Sequence, residues 1–171
     1  LNYDFLLYWV FFQEFKFFDS KDPSAFPLKY SDGFGGSNGS VRWGPNRHLQ
    51  TVFYLHGAMS YFGNENCSTL VKLSKLKSSI SEDFVKMING NQFPNTVVTE
   101  GSHTHKKDHI MRCEYLKFCF EKLTSIGGVL FVVGCSFQRD RHILDAIINS
   151  SKFSKIYCNY SAPYSSFVTK S

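Results

Sequence analysis

No stretch of this chain stays apolar long enough to cross a bilayer. The most apolar run, residues 5–12, gives way to Gln13, Glu14 and Lys16, well short of the ~20 residues a spanning helix needs. That run also lacks the charged leader and small-residue cleavage site of a signal peptide. Cysteine is sparse and unpatterned. Cys67, Cys113, Cys119, Cys135 and Cys158 make an odd five with no Cys-x-x-Cys spacing, which argues against a zinc ribbon and a disulfide framework. Reduced thiols in a cytoplasmic protein are the simpler account. Charge of one sign is not concentrated. The net +5 is scattered, with loose clusters at Lys72, Lys75 and Lys77 and at Lys106-Lys107, so solvated faces are expected rather than a nucleic-acid stripe. The glycines of Asp32-Gly33-Phe34-Gly35-Gly36 lack G-x-G-x-x-G spacing, which leaves them a surface loop with no phosphate-binding role. Internal repeats and heptads are absent as well.

Core-forming material is plentiful. Hydrophobic residues make up 43% of the 171 positions against 19% charged, enough for one globular domain over 1–171. Aromatics reach 17%, with 18 Phe and 9 Tyr, which fits an aromatic core, an exposed interface or a compositional bias. The first residue is Leu rather than Met, so the natural N-terminus is expected upstream.

The strongest local pattern runs from Gly127 to Ile147. Residues 129–133 are all apolar, with three valines, as in a strand covered on both faces. Gly134-Cys135-Ser136 then makes a small-residue turn in which Gly134 can take backbone angles closed to other residues and let a ligand approach. Asp140 suits the first turn of a following helix, and Ile143, Leu144 and Ile147 share one face of it. Elsewhere the spacing predicts an apolar helix over 5–18 and a loop-rich insertion over 19–46. Strands are expected over 49–55, 96–99 and 155–160, short and long helices over 81–89 and 108–123, and a loose tail over 161–171. Alternating strands and helices imply an α/β fold: a three-layer sandwich on a mainly parallel sheet.

In such a sheet the C-terminal strand ends share one rim, where ligands bind. Asn2 with Asp4, His56, and Gly134 with Ser136 all fall at such ends. His56 is the candidate general base, because an imidazole titrates near neutrality, at ~6.5. Gly57 after it is expected to leave the ring accessible. Asn2 and Asp4 either orient a polar ligand or cap a helix. Gly134-Cys135-Ser136-Phe137-Gln138 is not G-x-S-x-G, so Ser136 reads as a hydroxyl for a ribose or phosphate rather than as a nucleophile, and Cys135 as a packing residue. His103, His105 and His109 read as surface residues with no metal role.

Taken together these segments resemble sirtuin-like NAD-binding proteins. Asn2-Tyr3-Asp4 is similar to the end of their T-T-N-Y-D motif. Tyr54-Leu55-His56-Gly57-Ala58 is similar to their catalytic His-Gly motif. Val133-Gly134-Cys135-Ser136 with Asp140 and His142-Ile143 resembles the G-x-S turn and D-x-H-I segment of an uncharacterised bacterial sirtuin-like family. The resemblance also touches Val98-Thr99-Glu100-Gly101 and Tyr115-Leu116, and so covers nearly the whole chain in order. It implies a Rossmann-like domain that binds NAD and cleaves its nicotinamide glycosidic bond, with His56 as base and Asn2 positioning the ribose or the attacking water. Asp4 would contact the carboxamide, and Gly134, Ser136 and Asp140 would line the nucleotide site. The N-terminal strand and Gly-rich loop that cradle the pyrophosphate, a helix N-terminus in physical terms, do not occur in this sequence. The four zinc-binding cysteines of protein deacylases are also missing, which favours plain NAD hydrolysis, as in defence effectors, without a metal. A module that binds NAD or ADP-ribose without consuming it is the alternative. A structural α/β domain whose aromatic surface makes an oligomer contact is a third reading.

Overall fold

The computed structural model describes residues 31–36, 41–64, 66–73, 85, 89–90, 96–135 and 137–159. Within them the chain is mixed α/β, with a small antiparallel sheet, three helices and a two-stranded parallel ribbon.

The antiparallel sheet comes from very short strands: β1 Phe34–Gly35, β2 Val41–Trp43, β3 Tyr61–Gly63 and β4 Leu70–Lys72, in spatial order β1-β2-β4-β3. Phe34 pairs with Trp43, Val41 with Lys72, and Phe62 with Val71. The sheet holds because its side chains supply an aromatic core. Phe34 lies 4.7 Å from Tyr61, and Trp43 meets Tyr115 edge-on at 5.3 Å, centroid to centroid. Edge-to-face contacts of this kind add about 0.5–1.5 kcal/mol each beyond area burial. The polar tip of Trp43 is satisfied by Gln50 Oε1 at 3.0 Å, and Gln50 Nε2 donates to the Val52 carbonyl at 2.9 Å. Asp32 and Lys72 form an ion pair beside the Phe34 ring. Part of the high aromatic content is thus an aromatic core.

Two strands of this sheet lie inside 19–46, where loop composition dominates the sequence. Conversely, the strands expected over 49–55 and 96–99 do not form. Residues 47–49 make a single 3-10 turn, 51–54 run on without a ladder, and 96–99 carry one backbone bridge, Val98 N–H to the His56 carbonyl at 3.1 Å. The segment 81–89 lies mostly outside the described residues, although Val85 and Asn89 are helical.

The helix expected over 108–123 is two helices. α1, His103–Arg112, starts earlier, with the Ser102 side chain accepting from His105 N–H. α2, Glu114–Ser125, follows directly. Cys113 separates them with a ψ of 117°, extended rather than helical. The freed Glu114 N–H donates to the Asn66 carbonyl at 2.9 Å, so the break ties the helices to the loop before β4. Tyr115, Leu116, Cys119 and Phe120 are buried at helical spacing on α2.

β5, Gly128–Val132, pairs in parallel with β6, Phe153–Cys158, across α3, Arg141–Ile148. These three elements stand where the apolar runs place them. Gly127 is required at the start of β5, since a Cβ there would lie 2.6 Å from the Lys152 carbonyl oxygen. The expectation of a strand covered on both faces is corrected, however. Val129, Phe131 and Val133 are 50%, 68% and 76% exposed, and Ile156 and Tyr157 are open too. The α/β class holds, and among the described residues its sheets are a four-stranded antiparallel one and a parallel pair. Among the described residues, no helix is long and apolar enough to cross a membrane.

Candidate functional site

His56 sits in a turn closed by the Gly57 N–H to Tyr54 carbonyl bond, 2.9 Å. Gly57 has φ +72°, and a Cβ there would fall 1.9 Å from the Thr96 carbonyl oxygen. Only glycine allows the 96–98 segment to lie so close. Thr96 Oγ1 then donates to the Ala58 carbonyl and Val98 N–H to that of His56. This clamp fixes the backbone on either side of Gly57, and His56 as a whole is only 2% exposed. The accessible ring expected from a following glycine is therefore corrected: the glycine admits another backbone rather than solvent.

The imidazole faces α3. His56 Nε2 and His142 Nε2 lie 3.0 Å apart across 86 positions, with ring centroids at 5.1 Å. Asp140 Oδ1 is 3.8 Å from His56 Nε2. The buried Lys106 ammonium donates to Asp140 Oδ1 at 2.9 Å and to the Arg139 carbonyl at 3.3 Å. Phe120 lies parallel to the His142 ring at 6.5 Å. Four segments therefore meet: the 56 turn, α1 through Lys106, the 139–140 approach to α3, and α3 itself. The two helical members sit among buried residues of their own helices. Lys106 is one turn before buried Ile110 on α1, and His142 precedes buried Ile143 and Ile147 on α3.

Burial governs the protonation. It depresses His56 to about 4, against a partial upward pull from Asp140, with His142 and Lys106 pushing the same way as burial. His142 is lowered as well, again by burial first. Both rings are therefore neutral at pH 7. An Nε2···Nε2 hydrogen bond between two neutral imidazoles needs one donor and one acceptor, and the acceptor then carries its proton on Nδ1. Both Nδ1 atoms are buried and find no partner among the described residues. The cluster is thus under-satisfied, at a cost of about 1–3 kcal/mol per buried polar group. His56, His142 and Asp140 also form a group of potential metal ligands, one atom from each lying within 4.8 Å of the others. His142 further lines a cleft of about 480 Å³ with His103, Thr104, Lys107, Phe120 and Asp145, within the ~300–1,000 Å³ of small-molecule sites.

Of the residues singled out in the sequence, His56 and Asp140 are brought together. Asp140 is the residue before α3 but makes no side-chain cap there, because its carboxylate is engaged by Lys106. Gly134 adopts φ +68° on an exposed turn with open space around it. Asn2, Asp4 and Ser136 lie outside the described residues. Sequence reasoning assigned no role to His142, which entered only through the D-x-H-I resemblance, or to Lys106, which was expected in a solvated surface cluster.

No curated protein and no solved structure matches the chain. A family model does, over residues 1–161, and its description is a domain of unknown function (DUF4917). With that match spanning almost the whole sequence, the chain belongs to the DUF4917 family.

Proposed function

We propose that this protein binds NAD and hydrolyses its nicotinamide glycosidic bond, with His56 as the general base. The observation that carries the reading is the meeting of His56 with Asp140 and His142 in one buried cluster. The two stretches that resemble sirtuin-like motifs are thereby in contact. Unprotonated imidazole is the form a base needs, and burial supplies it. His56 would take a proton from water or a ribose hydroxyl as the bond from C1′ to the nicotinamide nitrogen breaks, water oxygen would bond to C1′, and nicotinamide would leave neutral. Asp140, 3.8 Å away, stabilises the imidazolium formed, and His142 offers the next stop for the proton. Electrostatic help of this kind is strongest where water is excluded.

Asn2 would position the ribose or water, Asp4 the carboxamide, and Gly134 and Ser136 the nucleotide. The cleft beside His142 has room for part of a dinucleotide, with Lys107 and Thr104 as donors to phosphate or ribose oxygens. In this reading β5 and β6 belong to a larger Rossmann-like sheet, which their uncovered valines and aromatics suit. The resulting loss of cellular NAD is the kind of outcome a defence effector exploits.

The test is incubation of the full-length protein with NAD and chromatography of released nicotinamide. Turnover that His56→Ala abolishes in a folded variant supports the mechanism, and undiminished turnover refutes it. The 2% exposure of His56 favours a second reading, a sensor that binds NAD or ADP-ribose without consuming it. Saturable nucleotide binding with no nicotinamide release selects that reading.

A further inference from the structure

We propose that His56, His142 and Asp140 form a binding site for one divalent first-row transition-metal ion such as zinc. The inference goes beyond the NAD reading and stands without it. Its ground is the donor set. Two imidazole nitrogens lie 3.0 Å apart, a carboxylate oxygen is 3.8 Å from one of them, and the three ligand atoms fall within 4.8 Å of one another. Ligands about 2.0–2.1 Å from a tetrahedral zinc sit roughly 3.3 Å apart, between the two measured separations. All three residues are buried, so their positions are held by packing before any ion arrives.

The chemistry of the set selects the ion. Two imidazoles and one carboxylate suit zinc, cobalt or ferrous iron rather than magnesium or calcium, which take oxygen ligands. Three protein ligands leave a fourth position for water or another small donor. An ion also resolves the proton conflict of the metal-free pair. Both Nε2 atoms then act as donors to the metal, instead of facing each other with one shared proton.

Lys106 sets the strength. Its ammonium stands 2.9 Å from Asp140 Oδ1, so it opposes a second cation while it orients the carboxylate, in the manner of outer-shell partners. The ion is therefore held more weakly than in an all-neutral surrounding, and removing the ammonium charge tightens it. Bound metal occupies the His56 lone pair that the base role uses, so the metal-loaded protein is the inactive form under the NAD reading.

The probe is Co²⁺ titrated into chelator-treated full-length protein, followed by its visible absorption, with Zn²⁺ competition by calorimetry. The expected result is one equivalent bound, at least about ten-fold weaker binding in Asp140→Asn and His142→Gln, no change in His48→Ala, and tighter binding in Lys106→Met. A destabilised variant loses affinity, so a gain in Lys106→Met separates the site from general misfolding. Absence of saturable binding, a stoichiometry other than one, or parental affinity in folded Asp140→Asn overturns the proposal. Metal binding is read without NAD, so either proposal can fail while the other holds.

Discussion

Acid should destabilise this protein through His56 over a defined pH range. The folded-state value of this imidazole is about 4, against ~6.5 in an unfolded chain. The cause is burial, and the Asp140 carboxylate offsets only part of it. Between those two values the unfolded chain takes up a proton that the folded protein refuses. Stability is therefore fully present above ~6.5, falls as pH drops toward ~4, and levels off below for this residue. A difference of roughly 2.5 units corresponds to about 3 kcal/mol, at up to ~1.4 kcal/mol per pH unit. His142 is shifted in the same direction and steepens the slope. The ring is 2% exposed, so solvent screening takes little from this figure. The assay is urea unfolding of metal-free protein at several pH values from about 7.5 to about 4.5, for the parent and His56→Gln. The parent should lose about 2–3 kcal/mol more than the variant over that range. Parallel curves would refute the assignment of a buried neutral imidazole at position 56.

Two further tests address the frame around the cluster. Gly57→Ala places a Cβ on the Thr96 carbonyl at a φ of +72° and should cost about 3 kcal/mol or more, seen as a thermal-melting drop of several degrees; an unchanged melting temperature would remove the clamp from the account. Ellman's reagent should titrate exposed Cys158 quickly and half-buried Cys135 more slowly in native protein. Buried Cys67, Cys113 and Cys119, the last pushed up to about 12 by burial, should react only after unfolding. Rapid native labelling of all five thiols would contradict the packing of α2.

Local patterns decided the elements that stand on local physics. The apolar run after Gly128, the amphipathic phase of α3 and the β-branched and aromatic content of β6 each suffice to specify an element, and all three formed. The helical phase over 108–123 was equally legible, but the break at Cys113 was not. It depends on the Glu114 N–H finding the Asn66 carbonyl, a partner 48 positions away. The antiparallel sheet was illegible because strands of two or three residues have no measurable period. They exist only because Tyr115 and its aromatic neighbours give them something to pack on. His56 could be picked out by its chemistry and the turn it ends, and Asp140 by its place before a helix. His142 and Lys106 could not, since an inward-facing polar residue looks like a surface one until its partner is known. Amino-acid order along the chain thus determined β5, α3 and β6 and which side chains are able to exchange protons. Only the tertiary structure decided that His56 is buried rather than open, and that its neighbours are an imidazole, a carboxylate and an ammonium. The hydrogen bonds and ion pairs that join the cluster's imidazoles, carboxylate and ammonium span 34 to 86 positions, and no local pattern carries them.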